Sequence, residues 1–72
     1  MVKTQNIDTA LLEKAITDSG LKVGFIVNTL GISRAAFDKK RKGRNAFRLS
    51  EVYVLCDLLK ITDDAKQQIF FP

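Results

Sequence analysis

The stretch Leu21–Gly43, LKVGFIVNTLGISRAAFDKKRKG, decides how this 72-residue chain folds. Phe25, Ile26, Val27 and Leu30 are spaced so that several can face inward from one helix, Val23 to Leu30, which Gly31 then breaks. Ser33 can cap a second helix, in which Ala36 and Phe37 are the apolar anchors while Arg34, Ala35, Asp38 and Lys39 lie outward. In this pattern Val27 packs between the two helices, Gly31 accepts the turn, and Phe37 pins the second helix to the core. The layout is that of a helix-turn-helix over about residues 23–42, and its second helix has the thin apolar face that insertion in a DNA groove requires.

On the amino-terminal side, Ala10, Leu11 and Ala15 set a helical pattern over residues 8–19 that Leu12 and Ile16 can extend. Asp8 or Thr9 serves as its N-cap and Gly20 as its stop. On the carboxyl-terminal side, Ser50 is read as the cap of a helix from Glu51 to Lys60, with Val52, Leu55, Cys56 and Leu59 in an i, i+3, i+4, i+7 stripe. Tyr53, Val54 and Leu58 widen that stripe, so the helix needs cover from the carboxyl-terminal segment or from a partner chain. Thr62 caps a last helix to about Ile69, with Asp63 and Asp64 placed where the helix dipole favours carboxylates. The expected fold is all-α: a compact bundle of about five short helices forming one domain, with Met1–Ile7 as a flexible arm.

Charge is concentrated in one place. Residues 39–48, KKRKGRNAFR, hold six Lys/Arg and no acid, whereas the other 62 residues carry six basic and eight acidic side chains. A local cationic patch on a mildly acidic body points to an oriented polyanion contact. No apolar run reaches the roughly 20 residues that span a bilayer, and MVKTQNIDT lacks the apolar core of a secretory signal, so the expectation is a cytoplasmic protein without membrane contact. There is no histidine and Cys56 is the only cysteine, which excludes an intrachain disulfide and a Cys/His zinc cluster. Cys56 reads as a small buried hydrophobe. Without histidine or a glycine-rich phosphate loop, and with little room for a pocket, catalysis is not expected, and no cofactor or metal is either.

Through LKVGFIVNTLGISRAAFDKKRKGR and the following FRLSEVYVLCDLLKIT, covering about residues 8–70, the chain resembles the small temperate-phage regulators of the Cro and lambda-repressor-like helix-turn-helix superfamily. It is especially similar to Cro-like proteins and to anti-repressors of the modulator-of-repression type. The resemblance implies a five-helix domain whose third helix reads operator DNA, usually as a dimer, in the choice between lytic and lysogenic transcription. Position by position, it assigns Ser33, Arg34, Ala35 and Lys39 to base edges and phosphates, with Arg34 paired to guanine and Ala35 near a thymine methyl. Lys39, Lys40, Lys42 and Arg44 would serve backbone phosphates, and four such contacts give a log–log salt slope of roughly −3.6. Two departures from the family pattern stand out. Val23 stands where many members clamp a phosphate with glutamine, and Lys40 and Arg41 stand where an aliphatic anchor is usual, leaving Phe37 as the main hold on the end of the third helix.

The same cations could lie in a solvated loop or grip an acidic protein surface, such as a partner repressor. Tyr53, Val54, Phe70 and Phe71 admit a similar contest, between completing the core and forming a homodimer or repressor interface. The leading expectation is a non-enzymatic regulator that binds double-stranded operator DNA; the alternative is an anti-repressor that acts mainly on a phage repressor, with DNA contact secondary.

Overall fold

The computed structural model describes residues 7–71. Five helices follow one another: α1 (Thr9–Ser19), α2 (Val23–Leu30), α3 (Arg34–Arg41), α4 (Leu49–Leu59) and α5 (Asp63–Phe70). The architecture is all-α, with no strand among the described residues. Most of the expected arm lies outside those residues. Its last member, Ile7, packs against the core, and the Asp8 amide donates to the Ile69 carbonyl at 2.8 Å, tying the start of the described chain to α5.

Local chemistry sets most of the boundaries. Asp8 Oδ1 accepts from the Leu11 amide at 3.1 Å, Ser33 Oγ from Ala36 at 3.0 Å and Thr62 Oγ1 from Ala65 at 3.2 Å, so α1, α3 and α5 each begin at a capping side chain. Gly20 and Gly31 end α1 and α2 in the left-handed region, at φ 73° and 75°. The Gly31 amide donates to Val27 at 2.9 Å and the Ile32 amide to the same carbonyl at 3.2 Å, which satisfies the end of α2 and turns the chain into α3. A Cβ at Gly31 would meet nothing within 4 Å. Gly31→Ala should therefore cost only the left-handed strain, about 1 kcal/mol, and lower the midpoint of a thermal melt by about 5 °C; an unchanged midpoint would show that the turn does not demand glycine.

The start of α4 differs from the sequence reading. Arg48, not Ser50, is its N-cap residue, and the Glu51 carboxylate reaches back to accept the Arg48 amide at 2.8 Å. That bond draws the first turn two residues earlier and leaves Ser50 exposed inside the helix.

α1 packs on α3, α4 and α5, while α2 packs on α3 and α4. Leu12, Ile16, Ile26, Val27, Phe37, Phe47, Val52, Leu55, Leu59, Ile69 and Phe70 are buried between them. Val27 and Phe37 therefore do what the turn pattern required. The inward face of α1 is Leu12 and Ile16, however, with Ala10 and Leu11 exposed, because α1 must meet α3, α4 and α5 at once and its buried stripe is set by those partners. Phe47, in the loop before α4, stacks edge-on against Phe37 at 6.2 Å and Phe70 at 5.7 Å between ring centroids. This aromatic row links α3 to α5 through a loop residue to which the sequence pattern assigned no role.

Candidate nucleic-acid interface

α3 packs on α1 and α2 with Phe37 buried beneath it and leaves its opposite face to solvent. Ser33, Arg34, Ala35 and Lys39 are exposed, and so are Lys42 and Arg44 in the turn that follows. Ser33 spends its hydroxyl lone pair on the Ala36 amide, so its first duty is the cap. The Arg34 side chain is 59% exposed, with Nε 3.5 Å from Asp38 Oδ1. Exposed cations on this helix and the turn after it leave positive charge open to a polyanion.

Lys40 requires a correction. Expected on a phosphate, it points inward, its side chain 13% exposed, and donates to Glu51 Oε1 at 2.6 Å. The same oxygen accepts the Arg48 amide. One carboxylate thus caps α4 and binds α3 to it. Burial pushes the Glu51 pKa up, but the Lys40 hydrogen bond, the Arg48 amide and the charges of Lys40 and Arg48 outweigh this, and the carboxyl is held below its ordinary value. A desolvated ammonium committed to a desolvated carboxylate is not available to DNA.

Arg41 is withdrawn as well. Its side chain is 17% exposed, with Nη2 2.8 Å from Asp38 Oδ1 and Nε 3.7 Å from Glu13 Oε2 on α1. Its guanidinium carbon lies 5.4 Å from the Phe37 ring centroid. Lys40 and Arg41 therefore hold the end of α3 to α4 and α1 by ion pairs, in the place of the aliphatic anchor expected there. Phe37 does not hold it alone.

The residues weighed as an interface divide. Phe70 is 2% exposed and belongs to the core, where it closes the aromatic row, so it is withdrawn from the interface set. Val54 is half-buried. Tyr53 and Phe71 remain exposed, and Lys66 Nζ sits 5.3 Å over the Tyr53 ring. Three large apolar side chains join them unforeseen: Phe25 and Leu11, both expected among the inward candidates, are 52% and 36% exposed, and Leu49 is 58% exposed. Leu49 and Tyr53 are one turn apart on α4, so they share a face. The i, i+4 spacing of Leu49 and Tyr53 carries that signal, but a helix start at Ser50 leaves Leu49 outside it.

A groove of about 620 Å³ runs between α1, the end of α4 and α5, with Leu11, Ala15, Leu58 and Ile61 among its walls. Leu11, Lys14, Ala15 and Asp18 line it from α1, whereas Glu13, about 200° round that helix from Leu11, turns toward Arg41. Cys56 is half-buried; burial pushes its thiol up, Lys66 opposes, and Asp57 and Asp63 add to the rise. Among the described residues, no group of three His, Cys, Asp or Glu side chains is placed to hold a metal ion. No helix among them is long and apolar enough to cross a membrane.

No family model matches this chain, and no curated protein and no solved structure matches it.

Proposed function

We propose that this chain is a regulator of the temperate-phage type that binds double-stranded operator DNA through α3 and the basic turn after it. The observation that carries the proposal is the division of the cationic cluster. Arg34, Lys39, Lys42 and Arg44 face solvent on α3 and its flank, while Lys40 and Arg41 are spent on holding that helix in place. A helix fixed at its carboxyl end and bare at its amino end can enter the major groove with its first residues toward the base edges. In this reading Arg34 contacts a base, Ala35 meets a thymine methyl, and Lys39, Lys42 and Arg44 neutralise phosphates. The protein acts by binding, without catalysis or cofactor, in the host cytoplasm.

With Lys40 withdrawn, three phosphate contacts replace four, and the log–log salt slope should be about −2.7. Fluorescence anisotropy with phage early-promoter duplexes over a salt series measures it. Lys42→Ala should weaken all sequences alike and reduce the slope by about one, whereas Arg34→Ala should remove about 1–3 kcal/mol of sequence preference. If both variants bind like the parent, α3 is not the reader.

A second reading is favoured by Leu49 and Tyr53, two large exposed apolar side chains on one face of α4, flanked by Arg48 and Lys66. A face of this composition suits a protein surface better than a phosphate backbone, and it supports a modulator that grips a phage repressor, with DNA contact secondary. Repeating the titration with the repressor present separates the two. Salt-sensitive binding by the protein alone supports the first; a tight complex with repressor and no such binding supports the second.

A further inference from the structure

Asp38 is the one carboxylate on the exposed run of α3, and a negative charge there opposes any polyanion. Its position also gives it two cationic partners on the same helix. Arg34, Asp38 and Arg41 fall at i, i+4 and i+7, on one stripe of the helix. Asp38 Oδ1 lies 2.8 Å from Arg41 Nη2 and 3.5 Å from Arg34 Nε, so a single oxygen stands between both guanidinium groups. Arg41 is itself held from the other side, by Glu13 of α1 and by the Phe37 ring. A charged chain thus runs from the body of the protein, through Glu13, Arg41 and Asp38, to the exposed Arg34.

We propose that Asp38 is a positioning residue for nucleic-acid recognition: it holds Arg34 along the helix, ready for a base edge, and it discourages contact with unselected phosphates. The inference rests on the DNA reading above. An arginine on an exposed first turn loses much rotamer freedom when it binds, and a partner that already aligns it reduces that loss. Arg41 is 17% exposed and lies 2.8 Å from Asp38, which gives Asp38 a second, more buried partner one turn further along the helix from Arg34. The pair therefore restrains the arginine instead of being dragged out with it.

The test is a double-mutant cycle on Arg34 and Asp38, read as selectivity. Wild type, Asp38→Asn, Arg34→Ala and the double variant are each passed through selection on a random 20-base-pair duplex library, and their affinities for the selected and unselected pools are measured by anisotropy. Asp38→Asn should bind unselected DNA more tightly and lose about two- to fivefold in the ratio of selected to unselected affinity, the scale of an exposed ion pair. In the Arg34→Ala background the same change should raise affinity for both pools without altering their ratio. Far-UV circular dichroism melts confirm that each variant remains folded at the assay temperature. An unchanged ratio for Asp38→Asn, or an equal change of ratio with and without Arg34, overturns the positioning role. Failure of the wild type to bind or enrich any sequence overturns the DNA reading itself, a different result from either.

Discussion

Phe47→Ala should unfold the protein at moderate temperature, although Phe47 lies in a loop. The ring is 4% exposed and sits edge-on between Phe37 and Phe70, the inward aromatics of α3 and α5. Truncation removes its burial and leaves a void that three elements cannot close together, a loss of about 4 kcal/mol. A chain of 72 residues holds roughly 4–11 kcal/mol in all. The variant should therefore melt about 20 °C or more below the parent, and the near-ultraviolet aromatic signal should disappear with the melt. A shift of only a few degrees would mean that Phe37 and Phe70 pack without it.

The second large effect falls on the pair that removed Lys40 from the DNA face. Lys40→Ala leaves the Glu51 carboxylate, 8% exposed, with the Arg48 amide but no counter-charge, and should cost about 3 kcal/mol. Glu51→Gln should cost less, because the lysine can extend its ammonium back to water. The sign of the pH dependence follows from Glu51. Its folded pKa is lowered, so the stability it contributes is fully present above the unfolded value of about 4.3 and is lost as pH falls through the folded value. The gap between wild type and Lys40→Ala should then be widest near neutral pH and narrow below about pH 4. Urea denaturation at several pH values measures this; a gap that does not vary with pH would remove the ion pair as its cause. Lys40→Ala should also leave the salt slope of DNA binding unchanged when measured under conditions where the variant is folded, whereas a phosphate contact would reduce it by about one.

Both residues show where local pattern stops informing. Gly31, Ser33, Thr62 and Asp8 act on backbone groups within four positions of themselves, so the turn and three caps were legible in the chain. The second helix was placed on its residues, Val23–Leu30, for the same reason. Glu51 acts locally on Arg48 and at a distance on Lys40, eleven residues back, and only the first of these leaves a short-range trace. Read in one dimension, Lys40 was one of six like cations. Its difference from Lys39 and Lys42 is a matter of which way the last turn of α3 faces once α4 lies against it.

The exposed hydrophobics follow the same division. Periodicity identified an apolar α4, yet not which edge of its wide stripe would remain bare, because α5 runs where it buries Phe70 and leaves Tyr53 and Phe71 half in solvent. The spacing in α1 specifies a helix but not which of Leu11 and Leu12 turns inward, since the two are chemically equal and only packing distinguishes them.

By itself, then, the sequence determined five helices, their order, the turn at Gly31 and the concentration of positive charge after Phe37, all properties of near neighbours along the chain. The tertiary structure alone decided which cations of that cluster face outward. Desolvating an ammonium requires a carboxylate within hydrogen-bond reach, and Glu51 comes within reach of Lys40 only when α4 packs against α3; Arg41 turns inward beside it, to Asp38 and the Phe37 ring, with Glu13 of α1 3.7 Å away.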